Sequence, residues 1–316
     1  MRILTIALPT FDREQLLDRQ LRWLSEAVRG YEDKLELYIS DNSSPDGTPA
    51  VIERWKPAFR GLPLRVTRNA SDIGAVRNIA QCIWAAKTPH VWVISDDDLI
   101  EAEAIPYVLE QIYARPETAL MVLNFASRNF KTGTVNFEQC YRRERDQFEV
   151  DGRRLFGDLL IKDSGGVTLT TALVYRTDAA QAALASWPEG LDNLLLQLYA
   201  SGFCATCGPA RVTGRNFLTC SAGDHHFQAD PAIQQKMVNV DLPVVYEKFL
   251  EMGYPRSLFF RMFLVKARRN ARAGRILPFI RRIRLLLAQS LTQKRARRMS
   301  AASTRSEQRA SASLRP

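Results

Sequence analysis

The sequence predicts an α/β fold with a doubly wound, mostly parallel sheet flanked by helices. Short apolar runs alternate with segments of helical periodicity over the first third of the chain, as parallel strands and their crossover helices do. The chain has 316 residues, of which 46% are hydrophobic and 25% charged. A chain of this length and composition buries a large core without disulfide or metal crosslinks.

The elements of the first third follow from local patterns. Residues 3–8 form a continuous apolar run that ends at a proline, which is typical of a buried parallel strand. Further strands are predicted at 35–40, 64–67 and 90–95. Helices are predicted between the strands at 13–29, 49–55 and 74–87.

Beyond residue 110 the pattern is less regular. Strands are predicted at 119–125 and 167–175, and helices at 177–186 and 191–200. Residues 204–207 are expected on a further strand. The predicted organisation is a body with two halves, 1–110 and 111–255, followed by a basic helical extension over 256–316.

Charge sets this extension apart from the body. Residues 256–316 hold 17 of the 44 Lys and Arg but one acidic residue, Glu307. Bulky apolar residues alternate there with arginine, as in helices that lie on anionic membranes. A helix docked on the body and nonspecific binding to nucleic-acid phosphates are the alternatives, although no motif for specific nucleic-acid recognition is present. No apolar run reaches the ~18 residues of a membrane span, so we expect a cytoplasmic protein, peripheral on the inner face of the cell membrane.

Polar clusters follow three of the predicted strands. They lie at 10–13, 41–44 and 96–98. Because the carboxyl ends of parallel strands form the ligand-binding edge of such sheets, we expect the clusters at one edge. Each also has a structural alternative: Thr10 or Asp12 as a helix cap, and Asp41 with Asn42 as an Asx turn.

The triplet Asp96, Asp97 and Asp98 carries the most chemical information. Adjacent carboxylates repel one another unless a cation or protons offset their charge. Mg²⁺ and Mn²⁺ prefer such oxygen ligands and often share them with substrate phosphates. The chain has no phosphate loop followed by Lys and no Gly-x-Gly-x-x-Gly after the first strand, which disfavours P-loop nucleotidases and dinucleotide oxidoreductases. A diphosphate leaving group held with a divalent metal fits this pattern.

Four motifs together resemble the family 2 glycosyltransferases of GT-A fold, in particular bacterial sugar transferases of surface-polysaccharide assembly of the abequosyltransferase-like type. The motifs are residues 7–13, 39–48, 68–78 and 93–98. The resemblance implies an inverting, metal-dependent transfer from a nucleotide-sugar donor to a glycan or lipid-linked acceptor, with Mn²⁺ or Mg²⁺ as cofactor. It makes 1–110 the nucleotide-sugar half and 111–255 the acceptor half of one GT-A domain.

The resemblance also implies a nucleotide-sugar site. Its residues would be Pro9, Thr10, Asp12, Asp41, Asn42, Gly74, Arg77, Asn78, Asp96 and Asp97. Asp12 stands where the family usually has Asn, and Arg77 would contact a phosphate. For the metal we favour Asp98 and Asp97 ahead of Asp96, because Ser95 replaces the first Asp of the commoner motif.

The resemblance implies a catalytic base at the start of a helix in the second half. The usual Glu-Asp pair is absent from residues 187–195. Asp192 is the first candidate and Glu189 the second, against the alternative that Asp192 only caps a helix. His225 is a candidate metal ligand in a later loop, as is its neighbour His226; ordinary surface histidines are the alternative.

The cysteines leave a separate question open. Cys204, Cys207 and Cys220 precede His225 with a spacing similar to that of a zinc knuckle. The same cysteines are also compatible with a redox pair or with buried packing residues. Cys82 is expected to pack in the core, as is Cys140.

Two other functions are compatible with parts of the sequence. A sugar nucleotidyltransferase would have a similar architecture but normally shows a Gly-rich triphosphate loop, which residues 9–13 do not form. A catalytically silent nucleotide-sugar binder or membrane adaptor would bind the donor without turnover.

Overall fold

The computed structural model describes residues 1–162, 166–221 and 230–272. The strands are β1 (Leu4–Thr10), β2 (Leu35–Asp41), β3 (Leu64–Arg68), β4 (His90–Val93), β5 (Leu99–Ile100), β6 (Leu120–Arg128), β7 (Val135–Phe137), β8 (Gln147–Glu149), β9 (Leu173–Arg176) and β10 (Ala210–Ser221). The helices are α1 (Glu14–Ala27), α2 (Thr48–Trp55), α3 (Ala75–Ala85), α4 (Ala104–Ala114), α5 (Gly152–Lys162), α6 (Thr177–Ser186), α7 (Leu196–Cys204), α8 (Pro231–Lys236), α9 (Leu242–Glu251) and α10 (Arg256–Arg272). Short 3-10 turns lie at Lys56–Phe59, Thr170–Ala172 and Pro188–Asp192, and Met237–Asp241 is a π-helical turn.

The described strands form one sheet in the order β3-β2-β1-β4-β9-β6-β10-β5, with β7 beside β6 and β8 beside β10. Strands β3, β2, β1 and β4 are parallel to one another, and β6 is parallel to β10. Antiparallel pairing is confined to β5, β7, β8 and β9. The predicted α/β sheet flanked by helices is confirmed.

Strand β1 lies inside the parallel region, between β2 and β4, and most of its side chains are apolar. Leu4 and Leu8 have no exposed surface, and on α1 Leu17 and Leu21 are equally buried. Burying a side chain of this size contributes about 1.5–3 kcal/mol. The helices predicted at 49–55, 74–87 and 177–186 are confirmed as α2, α3 and α6.

Three predictions for the second half were wrong in extent or type. The strand predicted at 167–175 is limited to β9, because the turn before it bonds to the end of β4 through Thr171. The helix predicted at 191–200 begins only at Leu196, since the Asn193 side chain accepts the N–H of Leu195 at 2.9 Å and competes with helix formation. Residues 204–207 form a turn rather than a strand, closed by the N–H of Cys207 on the carbonyl of Cys204 at 2.8 Å.

The chain divides into two units, Met1–Leu258 and the residues from Phe259 onward. The first unit holds the sheet, and the described part of the second is the remainder of α10. In the ranges that the structure describes, no helix is both long and apolar enough to cross a bilayer. Most of the predicted basic extension, residues 273–316, lies outside the described residues.

Candidate active site

The ends of β1, β2 and β4 meet at one edge of the sheet. Thr10 at the end of β1 is in register with Asp41 at the end of β2. On the other side of β1, the backbone N–H of Ile94 donates to the carbonyl of Ala7 at 2.9 Å, which continues the pairing past β4 toward the acidic triplet. All three polar clusters predicted from the strand ends therefore lie at this edge.

The acidic triplet is buried and tied to β1 and α1. Asp96 and Asp97 are 3% and 6% exposed. Asp96 accepts the hydroxyl of Thr10 at 2.9 Å. The Nη1 atom of Arg13, next to the start of α1, lies 2.8 Å from Asp96 Oδ1 and 2.9 Å from Asp97 Oδ2. Burial raises the pKa of Asp96, and the charge of Arg13 opposes that rise.

Asp98 is turned toward the second half of the chain. Its carboxylate accepts the hydroxyl of Thr171, just before β9, and the N–H of Ser221 at 3.4 Å, at the end of β10. The Thr171 hydroxyl in turn accepts the N–H of Ser95 at 3.0 Å. Across the described parts of the chain, no three His, Cys, Asp or Glu side chains are arranged as a metal-binding group. The carboxylates of Asp96 and Asp97 face Arg13, whereas that of Asp98 faces Thr171 and Ser221.

Asp41 is held on both sides at the end of β2. It is 1% exposed. One carboxylate oxygen accepts the N–H of Ser44 at 2.9 Å, and the other pairs with Arg68 at the end of β3. Arg68 also donates to the carbonyl of Ser44 at 2.9 Å. Asp41 thus bonds the backbone of its own loop three residues on, one residue farther than in an Asx turn, and also forms an ion pair.

Asn42 organises the loop that leads into α3. Its Oδ1 accepts the N–H of Ile73 at 3.1 Å and the side chain of Asn69 at 2.9 Å, and its amide donates to Asp72. The same Asp72 carboxylate accepts the N–H of Gly74 at 2.8 Å. Gly74 has a φ of 83°, a conformation that residues with a Cβ seldom adopt. Asn42 and Gly74 thus shape this loop.

Two other predicted pocket residues have backbone roles. The Asn78 amide donates to the carbonyl of Ser40 at 3.1 Å, and its Oδ1 accepts the Ser40 hydroxyl at 2.6 Å, so Asn78 ties α3 to β2. Asp12 is exposed with a φ of 54°, and its N–H donates to Ser44 Oγ at 3.0 Å. Asp, like Asn, tolerates this left-handed conformation better than other non-glycine residues. Pro9 lies half-buried on β1 between these loops.

The candidate base and a predicted phosphate ligand pair with each other. Arg77, in the first turn of α3, lies 2.7 Å from the carboxylate of Asp192. Their side chains are 44% and 74% exposed. Glu189 is exposed in the same 3-10 turn as Asp192. The structure therefore brings Arg77 and Asp192 together.

An ion pair between the exposed Lys236 and the buried Asp241 fixes the segment that carries Asp192. Lys236 of α8 lies 2.8 Å from both carboxylate oxygens of Asp241, which is 4% exposed in the π-helical turn. Lys236 also donates to the carbonyl of Asp192 at 3.1 Å, and the N–H of Leu194 donates to Asp241 at 3.1 Å. The side chain of Asn193 donates to the carbonyl of Asp241 at 3.1 Å. These bonds anchor the backbone on both sides of Asn193.

Sequence analysis missed several of these residues. Arg13 and Arg68 lie within two of the motifs but no pattern assigns them a role, and Thr171, Lys236 and Asp241 lie outside the motifs. The one available signal was the threonine-rich run that contains Thr171.

The predicted residues His225 and His226 lie outside the described residues. Cys204, Cys207 and Cys220 are free thiols. Cys204 is buried and Cys207 exposed, whereas burial raises the pKa of Cys220 to about 11. Cys204 therefore has the environment of a packing residue, whereas Cys207 and Cys220 are not fully buried.

Comparison with known proteins agrees with this arrangement. The family model described as Glycosyl transferase family 2 matches residues 5–177, more than half of the chain. The chain belongs to glycosyl transferase family 2. The matched range runs from β1 to the first residue of α6 and includes all three strand ends.

Individual relatives of this family 2 protein are distant. It is 26% identical over 103 residues to abequosyltransferase RfbV from Salmonella typhimurium, a match that covers 33% of this chain and 30% of that relative. The chain thus spans under a third of the length of that protein.

Solved structures share the fold. TarS 1–349 from S. aureus in complex with UDP-GlcNAc superimposes with a TM-score of 0.62 at 14% identity, covering 86% of this chain and 73% of that one. Mannosyltransferase PcManGT from Pyrobaculum calidifontis in complex with GDP-Man and Mn²⁺ gives 0.57 at 16% identity, covering 96% and 81%.

Proposed function

We propose that this family 2 protein transfers a sugar from a nucleotide-sugar donor to a glycan or lipid-linked acceptor in bacterial surface-polysaccharide synthesis. The observation that carries the proposal is the meeting of Thr10, Asp41 and the acidic triplet at one edge of the sheet. The similarity to an abequosyltransferase and to structures that contain UDP-GlcNAc or GDP-Man supports it. Residues 1–110 would hold the donor and 111–255 the acceptor.

The donor would lie across the ends of β1 and β2. Asp41 and Asn42 would face the base and ribose, and Arg77 would contact a phosphate through a charge-assisted bond. The ion pair of Arg77 with Asp192 is exposed and therefore weak. A phosphate, which binds a guanidinium more strongly, can replace the carboxylate.

Mn²⁺ or Mg²⁺ would be the cofactor, and the donor set fits it. Two carboxylate oxygens, from Asp96 and Asp97, already converge on one positive centre, the Arg13 guanidinium. Such ions are often held by one or two carboxylates plus substrate phosphates. Asp97 would hold the ion, with Asp96 as its partner in the arrangement seen here. Asp98, the partner that the sequence favours, would first have to leave Thr171 and Ser221, and His225 is a further candidate. A bound divalent ion offsets the charge that develops on a departing nucleoside diphosphate.

The transfer would proceed by direct displacement with inversion. A carboxylate near the acceptor would take the proton from the attacking hydroxyl. The oxygen of that hydroxyl would form a bond to the anomeric carbon of the sugar while the bond from this carbon to the diphosphate breaks, and the electron pair of the broken bond would leave with the nucleoside diphosphate. Asp192 is the first candidate for this base and Glu189 the second. The anchored backbone around Asn193 would keep the turn that carries both at a fixed position.

The extension from residue 256 would hold the protein on the inner membrane surface, where a lipid-linked acceptor lies. In the part of α10 that follows Leu258, the exposed fractions of Phe260 and Leu264 are 62% and 37%, and Arg261 is also exposed. Exposed apolar and cationic side chains on one helix suit an anionic interface. The full chain should float with vesicles of anionic lipid, and a chain truncated after Leu258 should not. Equal flotation of both would exclude the extension as the anchor.

Calorimetric titration of the full chain with UDP, GDP, CDP and dTDP, each with and without Mn²⁺, tests the donor site. We expect metal-dependent binding of one nucleotide and its loss in Asp98→Asn, with Asp33→Asn, whose side chain is 69% exposed, as a surface control. Release of that nucleoside diphosphate from its sugar conjugate then tests transfer. Binding without turnover would favour the silent binder or adaptor. No binding by the folded protein would reject the nucleotide-sugar site.

A further inference from the structure

We propose that Arg13 is an internal counter-ion of the acidic triplet, which a divalent cation must displace in order to bind. The inference rests on the metal dependence in the proposed function. Arg13 places one nitrogen, Nη1, at 2.8 Å from Asp96 and 2.9 Å from Asp97. Its position relative to both carboxylates is therefore that of a bound cation.

The two carboxylates need such a partner in the metal-free protein. Their side chains are only 4% and 8% exposed, so little of their charge is solvated. A buried carboxylate without compensating charge is strongly destabilising. Arg13 supplies that compensation from the N-terminal end of α1, next to Glu14, its first residue. The turn thus keeps a defined shape before any metal arrives.

A divalent cation would compete with Arg13 for the same oxygens. The cation and the Arg13 guanidinium are both positive and would repel each other at the same pair of buried oxygens. The low local dielectric strengthens this repulsion. The Arg13 side chain is 28% exposed, in contrast to its partners, so it has a route to solvent. The outcome is an exchange in which the guanidinium leaves as the metal binds, and the affinity for metal alone is lower than the carboxylates would otherwise give.

Arg19 provides a matched control on the same helix. Its guanidinium lies at the same turn but donates to the backbone carbonyl of Asp97 at 2.8 Å. Removing Arg19 loosens the turn without freeing a carboxylate oxygen. The exchange therefore predicts tighter metal binding when the charge of Arg13 is removed and unchanged metal binding when that of Arg19 is removed.

The test is the affinity of the full chain for Mn²⁺ alone, measured by electron paramagnetic resonance of the free ion. Arg13→Gln should bind Mn²⁺ more tightly by about tenfold, within the usual range of coupling between two ligands. Arg13→Lys, which keeps the charge, and Arg19→Gln should stay close to the wild type. Arg13→Gln should also melt at a lower temperature without metal and gain more than the wild type when Mn²⁺ is added. Equal or weaker Mn²⁺ binding by Arg13→Gln, or no binding by any variant, would overturn the proposal.

A measurement on the wild type covers the case in which Arg13→Gln does not fold. In protein labelled with ¹⁵N-arginine, the side-chain N–H signal of Arg13, assigned by its absence in Arg13→Lys, should lose its protection from solvent exchange as Mg²⁺ is added. An unchanged signal at saturating Mg²⁺ would refute the exchange. Neither measurement uses a nucleotide. Metal-dependent nucleotide binding without exchange would reject this inference alone, and exchange without nucleotide binding would reject the proposed function alone.

Discussion

Replacing Asp192 with Asn separates a catalytic role from a structural one, because the two predict effects of different size. The Asp192 side chain is 74% exposed and its partner Arg77 is 44% exposed. Ion pairs this exposed contribute about 0.2–1 kcal/mol. For a domain of this size, losing that energy lowers the melting temperature by about 2–4 °C at most.

Loss of a general base has a much larger effect on turnover. Proton transfer to a positioned side chain contributes roughly 10²–10⁴-fold. We therefore expect Asp192→Asn to lower kcat by about 10²-fold or more, with near-normal stability and donor affinity. The assay is release of nucleoside diphosphate from the donor that the titrations select, with a membrane lipid extract as the source of acceptor.

Glu189→Gln is the matched control, since Glu189 is exposed in the same 3-10 turn. Its kcat should stay near the wild-type value. Retention of activity by Asp192→Asn within about fivefold, which corresponds to about 1 kcal/mol, would refute the base assignment. A large loss in Glu189→Gln would transfer the role to that residue.

Three further outcomes are expected. Burial lowers the pKa of His90, so on acidification the unfolded chain takes up a proton that the folded protein excludes. The free energy of unfolding should therefore fall as the pH drops below about 6.5. His90→Gln should flatten this fall between pH 7 and 5 in urea titrations, and an unchanged pH dependence would contradict the prediction. A Cβ at Gly152 would lie 2.3 Å from the carbonyl of Gly208, so Gly152→Ala should lower the free energy of unfolding by about 1–3 kcal/mol, and unchanged stability would show that the backbone shifts freely. Asp41→Asn should weaken nucleotide binding by about tenfold, since hydrogen bonds to charged groups contribute about 1.5–3 kcal/mol. Full affinity in Asp41→Asn would remove Asp41 from the site. Arg68→Gln tests whether the ion pair between Arg68 and Asp41 is needed for this binding.

The parts of the site that could be predicted are those fixed by local pattern. Thr10, Asp41 and Asp96 each follow an apolar run, and parallel pairing alone brings the ends of such runs to one edge. The bridge from Arg13 to Asp96 required a different kind of information. The side chain must reach across the edge to a residue far along the chain, and no periodicity encodes which carboxylate it meets.

The second half was harder to predict because short polar side chains set its structure. The Asn193 side chain bonds the N–H of Leu195, and α7 begins only after it. Thr171 lies in the turn before β9 and bonds Asp98 there. Asp241 and Lys236 form a pair that stabilises a loop distant in sequence. Each of these residues is compatible with a solvent-exposed position when the sequence is read alone. The burial of Asn193, Thr171 and Asp241 depends on tertiary contacts that a local pattern does not contain.

The place of β9 in the sheet also bears on how the protein is made. Strand β4 pairs with β1 on one side and with the antiparallel β9 on the other. During synthesis the first four strands can assemble early, but the outer edge of β4 stays open until the ribosome has passed Arg176. That edge carries Val91 and Trp92, which have no exposed surface in the finished protein. An open apolar edge is a template for pairing with another chain. We therefore expect expressed fragments that stop before β9 to aggregate, even though they contain the four parallel strands β1 to β4.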